Sequence, residues 1–383
     1  MTALLVDEIG LLVDWAGEDP RPGRALVLEG GVVAWSGPAS RAPAADSRLS
    51  AGGGCVLPGF VDAHTHLVFA GDRADEFEAR LRGEPYRAGG ILGTVAATRR
   101  ASDAELAARA GALAAEALRS GTTTIEVKSG YGLTVEDEVR SLRVARDLTP
   151  HATFLGAHAV PAEWAHDPDG YVALVTGPML AACAGLATAL DVFCDEGAFS
   201  TEQSREVLRA GRAAGLDLHV HADQLGPGAG AQLAAEHGAA SADHCTHVDA
   251  AGVAALADAG VVAVLVPGAE FGSSHAHAPV RVLLDAGVTV ALATDCNPGT
   301  SYTTSIPLVV ALACRELGMT PLEAVRAATA GGAAALRRTD IGHLRTGARG
   351  DLVVLDAPSP VHLAYRPGVD LVRNVVRGGE VVR

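Results

Sequence analysis

The feature that most constrains this chain is a repeat of style. Eight apolar, strand-like runs recur along its middle: VLPGFVDAH (56–64), GTTTIEVKS (121–129), ATFLGAHAV (152–160), LDVFCDEG (190–197), LDLHVHAD (216–223), ASADHC (240–245), VVAVLVPG (261–268) and VTVALATDC (288–296). Between most of them lie Ala/Leu/Arg/Glu-rich stretches of helical period, such as SDAELAARAGALAAEALRSG and STEQSREVLRAGRAAG. Eight strands alternating with helices is the count of an α/β fold of the (β/α)8 barrel type, with a doubly wound open sheet as the alternative topology. Aromatic residues make up only 4% of the chain, and the small side chains that replace them suit tight strand–helix packing.

The ends of the chain differ in style from the middle. Residues 1–55 hold short β-like runs (ALLVDEIGLLVDW, RALVLEGGVVAWSG) broken by Gly and Pro, which read as hairpins. The stretch from about Thr346, with GARGDLVVLDAP and VRNVVRGGEVVR, repeats that style. The expectation is a small β-sandwich domain built by both termini (1–55 and 346–383) around a barrel at 56–345.

Composition narrows the partners. A formal net charge of −15 argues against nucleic acid and anionic membrane, but leaves room for a locally basic pocket and an anionic small molecule. No run approaches about 18 consecutive apolar residues, and the N-terminus lacks the basic start and apolar core of a signal peptide. The six cysteines show no CxxC spacing and sit mostly in apolar runs, as reduced thiols of a cytoplasmic, soluble protein would.

Titratable residues fall at the C-terminal ends of these runs, the end that carries the active site in a (β/α)8 barrel. His64 and His66 end the first run, and strand alternation puts both on one face. Lys128 and Tyr131 follow the second, His158 comes late in the third, and Asp195 and Glu196 end the fourth. His219, His221 and Asp223 share a face of the fifth, Asp243 and His244 end the sixth, and Asp295 ends the eighth. His64, His66, one of His219 or His221, and Asp295 make a three-imidazole, one-carboxylate set that suits Zn²⁺, Fe²⁺ or Mn²⁺. Taken singly, each of these histidines is as well explained by a structural hydrogen bond. Asn297 and Gly299 lie in an Asn-Pro-Gly turn after the eighth run, where backbone could approach a ligand. Arg73 could clamp a carboxylate, or pair with Asp75 or Glu76 at a helix start. LGPGAG (225–230) lacks the Lys-Ser/Thr of a phosphate loop and reads as a flexible loop.

PGFVDAHTH, the later histidine-bearing strand and the strand-end Asp295 resemble the amidohydrolase superfamily of metal-dependent barrel hydrolases. HTHLVFAGDRADEF, GGILGTVAATRRAS, IEVKSGYG, TFLGAHAVP, DVFCDEGAFS, SADHCTH and ATDCNPG, in that order and across nearly the whole chain, narrow the resemblance to the imidazolonepropionase family. The resemblance implies hydrolytic ring opening of 4-imidazolone-5-propanoate with one divalent metal ion, Zn or Fe. It implies His64, His66, His221 and Asp295 as the ligands, leaving His219 outside. It implies Arg73, Tyr131, His158, Gln224, Asn297, Gly299 and Thr300 around the substrate, with Arg73 suited to its carboxylate, and His244 near the substrate carbonyl. Asp295 and His244 are then the catalytic pair. Two departures stand out: Gln224 replaces a frequent Glu and cannot act as a base, and the segment RLRGEPYRAGGIL is shorter than its counterpart. A homodimer is expected. The rival readings are a deaminase of a cyclic amidine sharing the metal site, and a metal-free barrel kept as a binding protein.

Overall fold

The structure, a computed structural model, describes residues 2–17, 20–82, 90–273 and 276–383, and resolves into two compact units. One holds Ala63–Ala114 and Ile125–Thr304. Its centre is a seven-stranded parallel sheet whose neighbours follow chain order: Val127–Lys128, Ala152–Ala157, Ala189–Cys194, Asp217–Ala222, Ser241–His244, Val262–Leu265 and Val290–Leu292. Helices connect successive strands, and such strands are covered on both faces, so they read as near-continuous apolar runs. Ala152–Ala157 and Ala189–Cys194 are buried at every position. The helices expected at 102–121 and 200–215 run over Asp103–Arg119 and Thr201–Ala213, the second opened by a Ser200/Gln203 capping box.

The sheet curls. Its two edges meet at the segment 63–66: Lys128 N–H donates to the Thr65 carbonyl (2.9 Å), while on the other side Asp295 N–H donates to His64 O (3.0 Å) and His66 N–H to Cys296 O (3.0 Å). The two histidines therefore sit between the first and last strands of the sheet. Register then sets their surroundings, with His221 opposite Asp243 and Phe193, and Ala222 opposite His244.

The other unit comprises Met1–Asp62, Ala115–Thr124 and Ser305–Arg383. The units thus divide at Asp62 and Thr304, where the repeat style suggests 55 and 346, and the helical stretch after Thr304 goes with the termini. One sheet here runs Val32–Pro38, Arg24–Glu29, Ala3–Asp7, Ser47–Ser50; another runs Glu380–Val381, Val372–Arg377, Leu352–Leu355, Cys55–Pro58, Leu11–Leu12. Leu4, Val6, Leu26 and Leu28 share one core with Leu12, Val56, Leu352, Val354 and Val376. Each Leu so buried adds about 1.5–3 kcal/mol.

Two expectations are corrected in this unit. Arg24–Glu29 and Val32–Pro38 form a hairpin over Gly30-Gly31, both at positive φ, as a two-residue turn requires. Ala3–Asp7 and Leu11–Leu12 do not pair with each other. Glu8 takes a φ of 51° and Gly10 lies so close to the Gly53 carbonyl that no Cβ fits, so the chain leaves the first sheet for the second. The first strand-like run (56–64) is also split. Cys55–Pro58 joins the five-stranded sheet, whereas Phe60–Asp62 pairs with Thr122–Ile125. Gly59 allows the break, since a Cβ there would lie 2.2 Å from Thr123 Oγ1. All six cysteines are unpaired, and no described helix is long and apolar enough to cross a membrane.

Candidate metal centre

Strand geometry brings His64, His66, His221 and Asp295 together in the larger unit, all nearly free of solvent. His64 Nε2 lies 3.2 Å from His66 Nε2, and His66 Nε2 lies 3.4 Å from His221 Nε2. Asp295 Oδ1 is 3.6 Å from His64 Nε2 and 3.4 Å from His66 Nε2. Donors placed about 2.0–2.1 Å from a tetrahedral ion stand about 3.3 Å apart, so these spacings are those of a ligand shell.

The other side of each ring decides which nitrogen faces the cluster. His64 Nδ1 lies 2.6 Å from Asp243 Oδ2, and His221 Nδ1 lies 3.0 Å from Asp191 Oδ2. For His64 the carboxylate hydrogen bond at Nδ1 keeps the proton there and leaves the Nε2 lone pair pointing inwards, and for His221 the nearby Asp191 charge favours a proton on the Nδ1 side. Burial holds His64 and His66 well below the usual imidazole range, hence neutral and able to ligate. For His221 burial acts downward too, but the Asp191 carboxylate outweighs it and the net shift is upward. The neutral His64 and His66 rings bring their Nε2 atoms together at 3.2 Å, with His221 Nε2 3.4 Å from that of His66. That residue set fits a divalent ion.

The remaining expected residues fall into two groups. His66, Arg73, Tyr131, His158, Gln224, His244, Asp295, Asn297 and Thr300 line one narrow cleft, together with Ile91, Phe193 and Leu225. His158 stacks on His66 at 5.2 Å between centroids and donates from Nδ1 to Gly130 O (2.8 Å). His244, at a φ of 71°, packs 5.1 Å from the His221 ring, and neither of its ring nitrogens has a hydrogen-bond partner among the described residues. One of those nitrogens also lies within ligating range of His64 and His221. His244 is therefore a geometric alternative to His66 and Asp295.

Other side chains are turned inward on the protein. Arg73 gives Nε and Nη2 to the two oxygens of Glu76 (2.8 and 2.5 Å), so both readings of it hold: it lines the cleft and it pairs at a helix start. Gly299 does not line the cleft; a Cβ there would meet Arg73 Nη1 at 2.2 Å, so the glycine makes room for the guanidinium. Asn297 uses its amide to brace its own turn, donating to Asp295 O (2.7 Å) and accepting from Gly299 N (2.7 Å) and Thr300 N (2.9 Å). His219 sits one layer deeper in the sheet than His221, against Ser241 Oγ at 2.7 Å. Asp195 accepts from the backbone of Gln224 and Leu225, and Asp223 from Gly230 and Ala231, so 225–229 is a braced loop leading into the helix Gly230–Glu236. Residues 83–89 of the shortened segment lie outside the described residues.

Sequence reasoning assigned no role to Asp191, Glu126 or Glu138. Asp191 is a lone acid inside an apolar strand, which is itself a signal of a buried partner. Glu138 is fully buried and accepts from Gly130, Gly132 and Leu133 N–H, shaping the turn that carries Tyr131.

Comparison with known proteins follows the same lines. The sequence model of the amidohydrolase family matches residues 55–382. An imidazolonepropionase of Salinispora arenicola (strain CNS-205) is 61% identical over 386 residues, 99% of this chain and 98% of that one. Among solved structures, a triazine hydrolase variant superposes with a TM-score of 0.77 at 19% identity, covering 99% of this chain and 94% of that one. An adenosine deaminase from Xanthomonas campestris with bound zinc gives 0.74 at 21% identity, covering 99% and 92%.

One pH dependence follows from this geometry. Burial pushes His158 down to about 4, so as pH falls below about 6.5 the unfolded chain takes up that proton first. In metal-free protein, His158 therefore costs stability as pH drops from 7 to 5, with a slope of up to about 1.4 kcal/mol per pH unit. Urea unfolding at both pH values is expected to show a shallower fall for His158→Asn than for the parent; equal slopes would contradict this.

Proposed function

The chain belongs to the amidohydrolase family and, within it, to the imidazolonepropionases, and on that premise we propose that this cleft hydrolyses 4-imidazolone-5-propanoate to N-formimidoyl-L-glutamate in histidine degradation. The enzyme is a hydrolase that opens the C–N bond of a cyclic amide. The observation that carries the reading is that His64, His66 and Asp295 stand 3.2–3.6 Å apart with His221 Nε2 3.4 Å from His66 Nε2. These four residues would hold one divalent ion, zinc or iron. Bound there, the ion supplies Lewis acidity and lowers the pKa of water towards about 7.

The chain's own groups divide the rest of the reaction. Asp295 accepts the proton of the attacking water, since its carboxylate lies in the cleft wall beside the ligand histidines. His244, neutral and with no competing partner among the described residues, offers a ring N–H to the carbonyl oxygen as negative charge develops there. Asp295 then returns that proton to the ring nitrogen as the C–N bond opens. Tyr131 and His158 wall the substrate, and Gln224 orients it by hydrogen bonds. Asn297, Gly299 and Thr300 act through the turn that sets Asp295 and admits Arg73. The Arg73 guanidinium takes the propionate carboxylate.

The same reading carries closure of the curled sheet into a (β/α)8 barrel, a β-sandwich built from both termini, a homodimer, and no nucleic-acid or membrane partner. A cytoplasmic location is supported by six unpaired cysteines. The convergence of all four ligand residues weighs against a metal-free binding protein.

Asp295→Asn is expected to lower kcat for N-formimidoylglutamate formation by about 10²–10⁴-fold with the fold intact by circular dichroism. Substantial residual turnover would remove Asp295 from the proton-transfer role. Arg73→Gln is expected to raise KM by about 10–100-fold, the worth of a charge-assisted hydrogen bond or two, with a smaller change in kcat. An unchanged KM would remove Arg73 from carboxylate binding.

A further inference from the structure

Lys128 is wholly buried, among the largest side chains with no solvent exposure, and takes no part in the chemistry above. Its ammonium lies 2.9 Å from Asp191 Oδ2, 3.1 Å from Glu126 Oε1 and 3.7 Å from Asp243 Oδ2. Each of these carboxylates reaches one part of the candidate ligand set. The Asp191 oxygen that meets Lys128 is the one that faces His221 Nδ1 at 3.0 Å. The Asp243 oxygen that meets Lys128 is the one that faces His64 Nδ1 at 2.6 Å. Glu126 Oε2 accepts the backbone N–H of Thr65 (3.1 Å), between His64 and His66, while the Thr65 hydroxyl donates to Glu126 O (2.6 Å).

One cation therefore joins three carboxylates, two from the strands Ala189–Cys194 and Ser241–His244 and one from Glu126 between Thr122–Ile125 and Val127–Lys128, and through them steadies all three histidines. A buried ammonium is retained only where it is fully paired, and a Lys has three N–H donors to distribute. Glu126 and Asp191 lie within hydrogen-bond distance of the ammonium, and Asp243 adds a third negative charge at 3.7 Å. A methylene side chain in its place would leave three carboxylates crowded together, free to turn away from the rings they orient.

We propose that Lys128 is a positioning residue for metal binding: through Asp191, Asp243 and Glu126 it fixes the directions in which His221, His64 and the 64–66 backbone present their ligand atoms. The proposal rests on the metal reading of the site and adds a residue that touches neither metal nor substrate. Losing a partner that orients ligands typically weakens metal affinity by about 10–100-fold.

The test is Zn²⁺ binding to metal-free protein, by competition with a chromophoric chelator, for the parent chain and Lys128→Met. The expected result is tight, one-to-one uptake by the parent and a dissociation constant raised about 10–100-fold in the variant, with the metal-free circular dichroism spectrum retained. A parent that takes up no Zn²⁺ would overturn the metal reading itself. A folded variant within twofold of the parent would overturn the role of Lys128 alone. A measurement on the parent covers the case in which the variant does not fold: the Lys128 ammonium resonance in ¹⁵N-lysine-labelled protein is expected to move on Zn²⁺ addition, as the ring N–H groups on the shared oxygens respond. An unmoved resonance would contradict the linkage.

Discussion

Everything at this site depends on which way two buried imidazoles point their lone pairs. A neutral histidine has one donor and one acceptor nitrogen, and a carboxylate at one side settles which is which. Asp243 reaches His64 from across the curled sheet, and Asp191 faces His221 from the adjoining strand Ala189–Cys194. The same burial that keeps His64 neutral would make unpaired carboxylates intolerable. Burial pushes Asp243 up to about 6 and Glu126 up to about 7, while Lys128 is shifted upward, burial notwithstanding, by Asp191, Glu126 and Asp243. The charges hold one another in place, and the histidines take their orientation from them.

Backbone geometry adds a second constraint at the strand ends. Asp223, His244 and Asp295 all take positive φ values, a conformation that non-glycine residues enter at a cost of about 1–3 kcal/mol each. At these points each chain leaves the sheet and turns its side chain across the strand end. For Asp295 the turn is braced by Asn297 and Thr300, which explains polar residues that never reach the metal cluster. Arg73 belongs to a similar local arrangement: its guanidinium needs the bare backbone of Gly299 beside it and the Glu76 carboxylate across from it.

Much of the fold and of the site is legible in the sequence, for physical reasons. Strands covered on both faces read as apolar runs, capped amphipathic helices read from their ends, and a histidine pair two residues apart on a strand must share a face. The clustering of titratable residues at run ends then points to one place. Other features are not legible because they are not local. Lys128, Asp191 and Asp243 meet only through strand register, and nothing near any of them in sequence announces the other two. The hand-over at Gly59 depends on Thr123, far along the chain, and the duties of Asn297 and Gly299 on a turn whose shape the residue types alone leave open.

The central claim is that His64, His66, His221 and Asp295 form the ligand shell, with His244 left free for the substrate. Anomalous diffraction at the metal absorption edge, from crystals of metal-loaded protein, addresses it directly. The account predicts a single peak about 2.0–2.2 Å from the three Nε2 atoms and a carboxylate oxygen of Asp295. A peak bonded to His244 in place of His66 and Asp295, or no peak in this cleft, would contradict it.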